Sequence, residues 1–325
     1  MNNNRLLQQI LFPNHIFTFD DFPSDFQELA GDLRQLSCTP TYPWAQYFYF
    51  SLIKKHNLTD RGMAGEFGVA KGGMSHFLGR LFKPNHQKVY SFDTFKGAPF
   101  ASGPKENPYY KKGDYQSLEG ESQLSQFQDA IKSFGLEETI IPWMGDFSAA
   151  DFDFKAPGKF SFIHIDCNLY ESTKSALDIV WDKVIDGGVI VLDEFFHSSL
   201  GVKNAATQFF INKGLHPVYH LVFPYSVVII KGEVAQDPNP DIEGNFYDFD
   251  LMKENHCFRD ALKINVNVLE RGPFPTLENA KLFLGLLNRP TTSHDVHLYL
   301  WLMRDFWNGF YQPLSKYEQR GIITK

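Results

Sequence analysis

Between residues 63 and 213 short apolar runs alternate with segments of helical periodicity, and no other feature of this 325-residue chain limits its fold as much. Met63 to Phe67, Lys88 to Phe92, Thr139 to Trp143, Phe160 to Ile165 and Val189 to Leu192 are short and mostly apolar, as strands buried on both faces must be. Residues 73 to 82, 121 to 134, 171 to 183 and 202 to 213 carry helical spacing between or after them. Strands joined through helices run parallel, with right-handed crossovers, which predicts an open α/β sheet covered on both faces and ligands at its carboxyl edge. His216 to Val222 and Ser226 to Lys231 break the rule, because only Phe223-Pro224-Tyr225 separates them. That gap is too short for a crossover and predicts a hairpin, hence antiparallel pairing at one end of the sheet.

The ends of the chain read differently. Residues 24 to 37 (Phe26, Leu29, Leu33, Leu36) and 44 to 56 (Trp44, Phe48, Leu52, Ile53) predict two helices ahead of the sheet. Past it, 236 to 244 reads as a loop, and Thr276 to Asn288 and Ser293 to Phe310 read as helices. The expected division is an N-terminal helical extension at 1–59, a core at 60–231 and a mainly helical C-terminal extension at 232–325. Residues 93 to 120 form a long connection containing Gly, Pro and Lys, read as a lid.

Composition narrows the function classes. With 43% hydrophobic and 21% charged residues, and no uninterrupted apolar stretch of about 20 residues, a membrane span is not expected. A net charge of −7 offers no positive field for a nucleic-acid backbone. Cys38, Cys167 and Cys257 are too few and too scattered for a disulfide framework or a zinc ribbon, and the first residues lack a secretory pattern, so a cytoplasmic protein is expected. The 16% aromatic content, concentrated partly at the two ends, fits a filled core, a substrate pocket or the surface of a homodimer.

Chemistry-bearing residues gather at the expected strand ends. Glu66-Phe-Gly-Val-Ala-Lys-Gly-Gly73 lies between the first strand and a helix, where Gly68, Gly72 and Gly73, with Lys71 among them, allow a ligand close to the main chain. Asp93 ends the second strand, followed by Thr94 and Phe95, where a carboxylate can accept both hydroxyls of a ribose. Gly145, Asp146 and Phe147 follow the third and are placed to border an adenine ring. Asp166 closes the fourth strand, and Asp193 and Glu194 the fifth. Adjacent strands lie about 4.8 Å apart, so these carboxylates face one another, and an Mg²⁺ between them would relieve the repulsion and orient a substrate hydroxyl. The alternative has Asn168 and Glu171 opening the next helix as a capping box, with Asp193 and Glu194 in water. Asp166 and His197 are the catalytic candidates, with His294 and His297 as further bases. A nicotinamide-dependent oxidoreductase or epimerase would share the glycine turn and Asp93, but has no use for the paired acidic strand ends.

Five blocks in this order, Glu66 to Gly73, Phe92 to Gly97, His164 to Thr173, Asp186 to Phe195 and Gly201 to Ala205, resemble the macrocin O-methyltransferase (TylF-type) family over residues 60 to 231. The resemblance implies a Rossmann-like class I methyltransferase fold and S-adenosylmethionine (SAM)-dependent methylation of a small-molecule hydroxyl, typically on a sugar of a natural product. It also implies that Glu66, Gly68, Gly72 and Gly73 surround the methionine part, that Asp93 holds the ribose, and that Asp166, Asp193 and Glu194 bind Mg²⁺. This chain departs from the family at Asn168 and Glu194, where the family has Asp, or commonly has it. A binding protein that keeps the fold without the chemistry would be consistent with those departures.

Overall fold

The computed structural model describes residues 23–35, 43–106, 108–116, 123–155, 157–195, 197, 199–222 and 226–234. Seven strands form one sheet: β1 (Met63–Phe67), β2 (Val89–Asp93), β3 (Ile140–Met144), β4 (Phe160–Ile165), β5 (Val184–Leu192), β6 (His220–Val222) and β7 (Ser226–Ile230). Their spatial order is β3-β2-β1-β4-β5-β7-β6. The first five pair in parallel, and β7 runs antiparallel to both β5 and β6. The expected end hairpin is present. Its β6 is shorter than the apolar pattern suggests, because Pro217 has no N–H to donate and makes only an isolated bridge with Val234. Pro142 is accommodated for a related reason: β3 is an edge strand with ladder bonds on one side only.

Helices α1 (Ser24–Gln35), α2 (Pro43–Lys55) and α3 (Leu58–Arg61) precede the sheet. Among and after the strands come α4 (Gly73–Phe82), α5 (Gln123–Ser133), α6 (Tyr170–Val180) and α7 (Gly201–Lys213). Helix α1 is tied to α4 by Arg80, whose guanidinium donates to the Leu29 carbonyl at 2.8 Å, and by Phe26 edge-on to Phe77. One expectation needs correcting: β5 begins at Val184, not Val189, the Asp186-Gly-Gly188 turn being absorbed into it with Gly187 at φ +71° and Arg61 donating to the Asp186 carbonyl. The sequence at 184 to 188 lacks the continuous apolar run of a buried strand because this end is a solvent-facing margin.

The register places the functional residues. Phe67 is level with Phe92 and Ile165, Ile165 with Leu192, and Asp93 with Met144. The ladder then runs one residue further: Gly68 N–H donates to the Phe92 carbonyl, Asp166 to Phe67, Asp193 to Ile165 and Gly145 to Asp93, each at 2.8 or 2.9 Å. Four strands therefore deliver their first non-strand residues, and β2 its last residue Asp93, to one edge. The C-terminal helices expected at 276 to 288 and 293 to 310, with His294 and His297, lie outside the described residues.

Candidate active site

The turn after β1 is built on positive φ angles, +88° at Gly68, +47° at Ala70 and +85° at Gly72. A Cβ on Gly68 would stand 2.0 Å from the Asp166 carbonyl oxygen, so only glycine lets β1 and β4 stay this close. Asp93 holds the turn in place: Oδ2 accepts the N–H groups of Val69 (2.7 Å) and Ala70 (3.0 Å), and Oδ1 accepts that of Phe95 (2.7 Å). Lys71 is exposed at the tip. Glu66 is 2% exposed, and its carboxylate accepts the Ser75 hydroxyl from α4. Burial raises its carboxyl, with His164 and Ser75 acting in the opposite sense.

Several expected cofactor contacts have a first task inside the protein. The Thr94 hydroxyl donates to the Gly97 carbonyl, while Phe95 is buried and stacks on Phe127 at 5.6 Å. Asp146 accepts the Ser148 N–H and hydroxyl, closing a turn. The Phe147 ring points into the core, edge-on to Phe67, and leaves the strand end to Gly145 and Asp146.

At β4 and β5 the structure brings Asp166 and Asp193 together. They share a group with His164 in which one ligand atom from each lies within 4.8 Å of the others. His164 was not assigned a role from sequence, although residues 164 and 166 share a face of β4 by strand alternation. Its Nδ1 is 3.6 Å from Glu66, beyond hydrogen-bonding range, and both ring nitrogens are buried without a hydrogen-bond partner. Tyr49, fully buried on α2, meets the His164 ring edge-on at 5.9 Å. Ser226 donates to Asp193 Oδ1 from β7. Burial, then the carboxylates of Asp193, Glu194, Glu66 and Asp93, hold the Asp166 carboxyl well above its usual range.

Glu194 lies outside that three-residue group. It stands at φ +53°, and its Oε2 accepts the Tyr110 hydroxyl at 2.5 Å. Tyr110 comes from the 98–116 segment, together with Tyr109, whose ring lies edge-on to His197 at 4.5 Å. The Ser199 N–H donates to His197 Nδ1 at 3.2 Å, so the neutral ring carries its proton on Nε2. The Nδ1 atom of His197, a candidate base by sequence, is thus engaged within its own loop.

The capping-box alternative at Asn168 and Glu171 is not what the structure shows. Asn168 is left-handed at φ +61°, Leu169 occupies the N-cap without a side-chain bond, and the buried Asn168 Oδ1 has no hydrogen-bond partner. The two clustered carboxylates are donors suited to a hard divalent cation, the unpartnered Asn168 oxygen lies two residues along the chain from Asp166, and the imidazole widens the set toward ions that also accept nitrogen.

A sheet in this order, with a glycine turn after β1 clamped by an acid at the end of β2, is the Rossmann-like fold of class I methyltransferases. CalS11, a calicheamicin methyltransferase, has the same fold at a TM-score of 0.50 and 18% identity, over 70% of this chain and 91% of that one. Other similar structures are the O-methyltransferase NovP (TM-score 0.47, 18% identity, 56% and 79% covered) and TomG of Streptomyces achromogenes, an O-methyltransferase of tomaymycin synthesis solved with SAM (0.40, 11%, 65% and 92%). No curated protein sequence matches the chain. The family profile described as macrocin-O-methyltransferase (TylF) matches residues 57–221, just over half of the sequence. The chain belongs to this family and is a SAM-dependent O-methyltransferase. Among the described residues no helix is long and apolar enough to cross a membrane.

Proposed function

We propose that the protein methylates a hydroxyl on a sugar or another natural-product intermediate, at the edge where the Asp166–Asp193 pair adjoins the glycine turn. The single observation that carries this reading is that adjacency, since Gly68 packs directly on the Asp166 carbonyl. It puts the place for a methyl donor beside the place for an acidic acceptor site. The family supports the acceptor class.

Gly68, Lys71, Gly72 and Gly73 frame the methionine half of SAM, and Glu66 supports them from below through Ser75. Asp93 takes a ribose hydroxyl on the lone pairs its backbone bonds leave over, and Gly145 with Asp146 borders the adenine. SAM supplies an electrophilic methyl group on a sulfonium. The protein's own part is to hold the acceptor oxygen in line with the S–CH₃ bond and remove its proton, and much of the rate comes from that positioning. Asp166 and Asp193 would hold Mg²⁺, with Asn168 as a neutral oxygen donor and Glu194 within reach once released by Tyr110. When bound, the ion supplies a Lewis acid that eases deprotonation of the hydroxyl. Asp166, whose carbonyl packs on Gly68 of the turn, is the candidate proton acceptor. His197 donates from Nε2 and orients the acceptor.

The three-part division at 59/60 and 231/232, a homodimer and a cytoplasmic location complete the reading. The test is turnover with SAM across free glycosides, nucleotide-linked sugars and phenolic hydroxyls, after EDTA and again with Mg²⁺ restored. Methylated glycosides formed only with the ion are expected. Methylation of phenols alone would overturn the acceptor class, and equal turnover in EDTA would remove the metal.

A further inference from the structure

Helices α6 and α7 share an unusual beginning. Each has a leucine at the N-cap, Leu169 and Leu200, each about 1% exposed and neither making a side-chain capping bond. The first N–H groups of a helix need acceptors, and a leucine offers none. Into this gap comes Glu106, from the 98–116 segment. Its Oε2 accepts the N–H of Tyr170, the first residue of α6, at 3.2 Å, and its Oε1 accepts the Gly103 N–H at 2.8 Å. The same Oε2 occupies the space that a side chain at Gly201, the first residue of α7, would fill: a Cβ there would stand 2.3 Å from it.

The neighbouring residue fastens the segment a second time. The Lys105 ammonium lies 4.6 Å from the centre of the Tyr170 ring and donates to its hydroxyl at 3.3 Å, and the Lys105 carbonyl accepts Asn204 Nδ2 of α7 at 2.7 Å. Glu106 is 8% exposed, its oxygens accept backbone N–H groups, and burial raises its carboxyl while the Gly103 and Tyr170 N–H groups act in the opposite sense. A carboxylate is rarely buried on such terms for a loop's sake alone. The first turn of a helix repays it, because the aligned peptide dipoles favour negative charge there. Three and four residues further on, Tyr109 meets His197 and Tyr110 donates to Glu194.

We propose that Glu106 is a positioning residue: by docking between the first turns of α6 and α7 it holds the 98–116 segment shut, and so sets Tyr109 and Tyr110 over the acidic strand ends. The proposal rests on the reading of that edge as the acceptor site. The latch is built from the two helices that follow β4 and β5, so the strands carrying Asp166 and Asp193 also carry the docking point for their cover.

Brief trypsin digestion of the full chain tests it, read by mass spectrometry after Lys111 and Lys112, both exposed in the segment, with the exposed Lys132 on α5 as control. In E106A, cleavage after Lys111 and Lys112 is expected to rise about ten-fold or more, the change in open population that losing a charge-assisted hydrogen bond brings. E106Q, with one carbonyl oxygen for two N–H donors, is expected to fall between. Cleavage after Lys132 and the S-adenosylhomocysteine affinity by calorimetry should stay within about two-fold of the parent. Unchanged cleavage in the segment would overturn the latch. So would a parallel rise after Lys132 with a lower melting temperature, which marks Glu106 as a mere helix cap. Failure of the parent protein to bind S-adenosylhomocysteine would strike the methyltransferase reading instead and leave the latch standing.

Discussion

Asp93 commits both carboxylate oxygens to backbone N–H groups of the turn it faces and of its own. Its charge therefore organises the cofactor loop before any ribose arrives. In D93N one oxygen becomes an amide NH₂ pointed at N–H donors, and a charge-assisted bond is worth about 1.5–3 kcal/mol. S-adenosylhomocysteine affinity is expected to fall about 10- to 100-fold in calorimetry. Asp166 carries a different signature. Its folded-state carboxyl is raised above the ordinary 3.8 by burial and by neighbouring carboxylates. Its contribution to stability is thus complete below the unfolded value and is lost as pH rises through the raised one. Melted without metal from about pH 4 to about pH 8, the parent should lose stability relative to D166N, and added Mg²⁺ should shrink the difference. A constant difference across that range would contradict the burial of a shared charge at this position.

Elements meet at the glycine turn with little tolerance. Gly68 combines φ +88° with a carbonyl oxygen 2.0 Å from where a Cβ would be, and the obstacle is backbone, which cannot rotate away. G68A is expected to cost about 3 kcal/mol or more, from strain at a left-handed position plus the separation of β1 from β4. In thermal melting that corresponds to a loss on the order of 10 °C. Gly145, with nothing near its would-be Cβ, serves as the control: G145A should melt within about 2 °C of the parent. At the other end of the sheet, β7 contributes chemistry as well as pairing, since Ser226 at its start reaches Asp193.

The whole molecule is built so that its binding edge is formed by segments from residue 66 to residue 226, and a ligand at that edge ties distant parts of the chain together. A ligand present at about 100 times its dissociation constant adds about 2.7 kcal/mol to such a fold. S-adenosylhomocysteine at that excess should raise the melting temperature by about 5–10 °C, whereas NAD(H) at equal concentration should leave it unmoved. A shift with NAD(H) alone would revive the oxidoreductase alternative.

What the sequence determined by itself was periodicity and local geometry. Apolar runs separated by helical stretches sufficed for the parallel sheet and its end hairpin, and glycines beside strand ends marked the turn, because both follow from interactions within a few residues. What only the tertiary structure decided were the partners. That His164 joins Asp166 and Asp193, that Glu194 answers to Tyr110, that His197 has its Nδ1 lone pair already taken, and that Glu106 serves a helix 64 positions away were not legible. A buried charge is stabilised by whichever group the fold brings within about 3 Å, and sequence spacing carries no record of that approach.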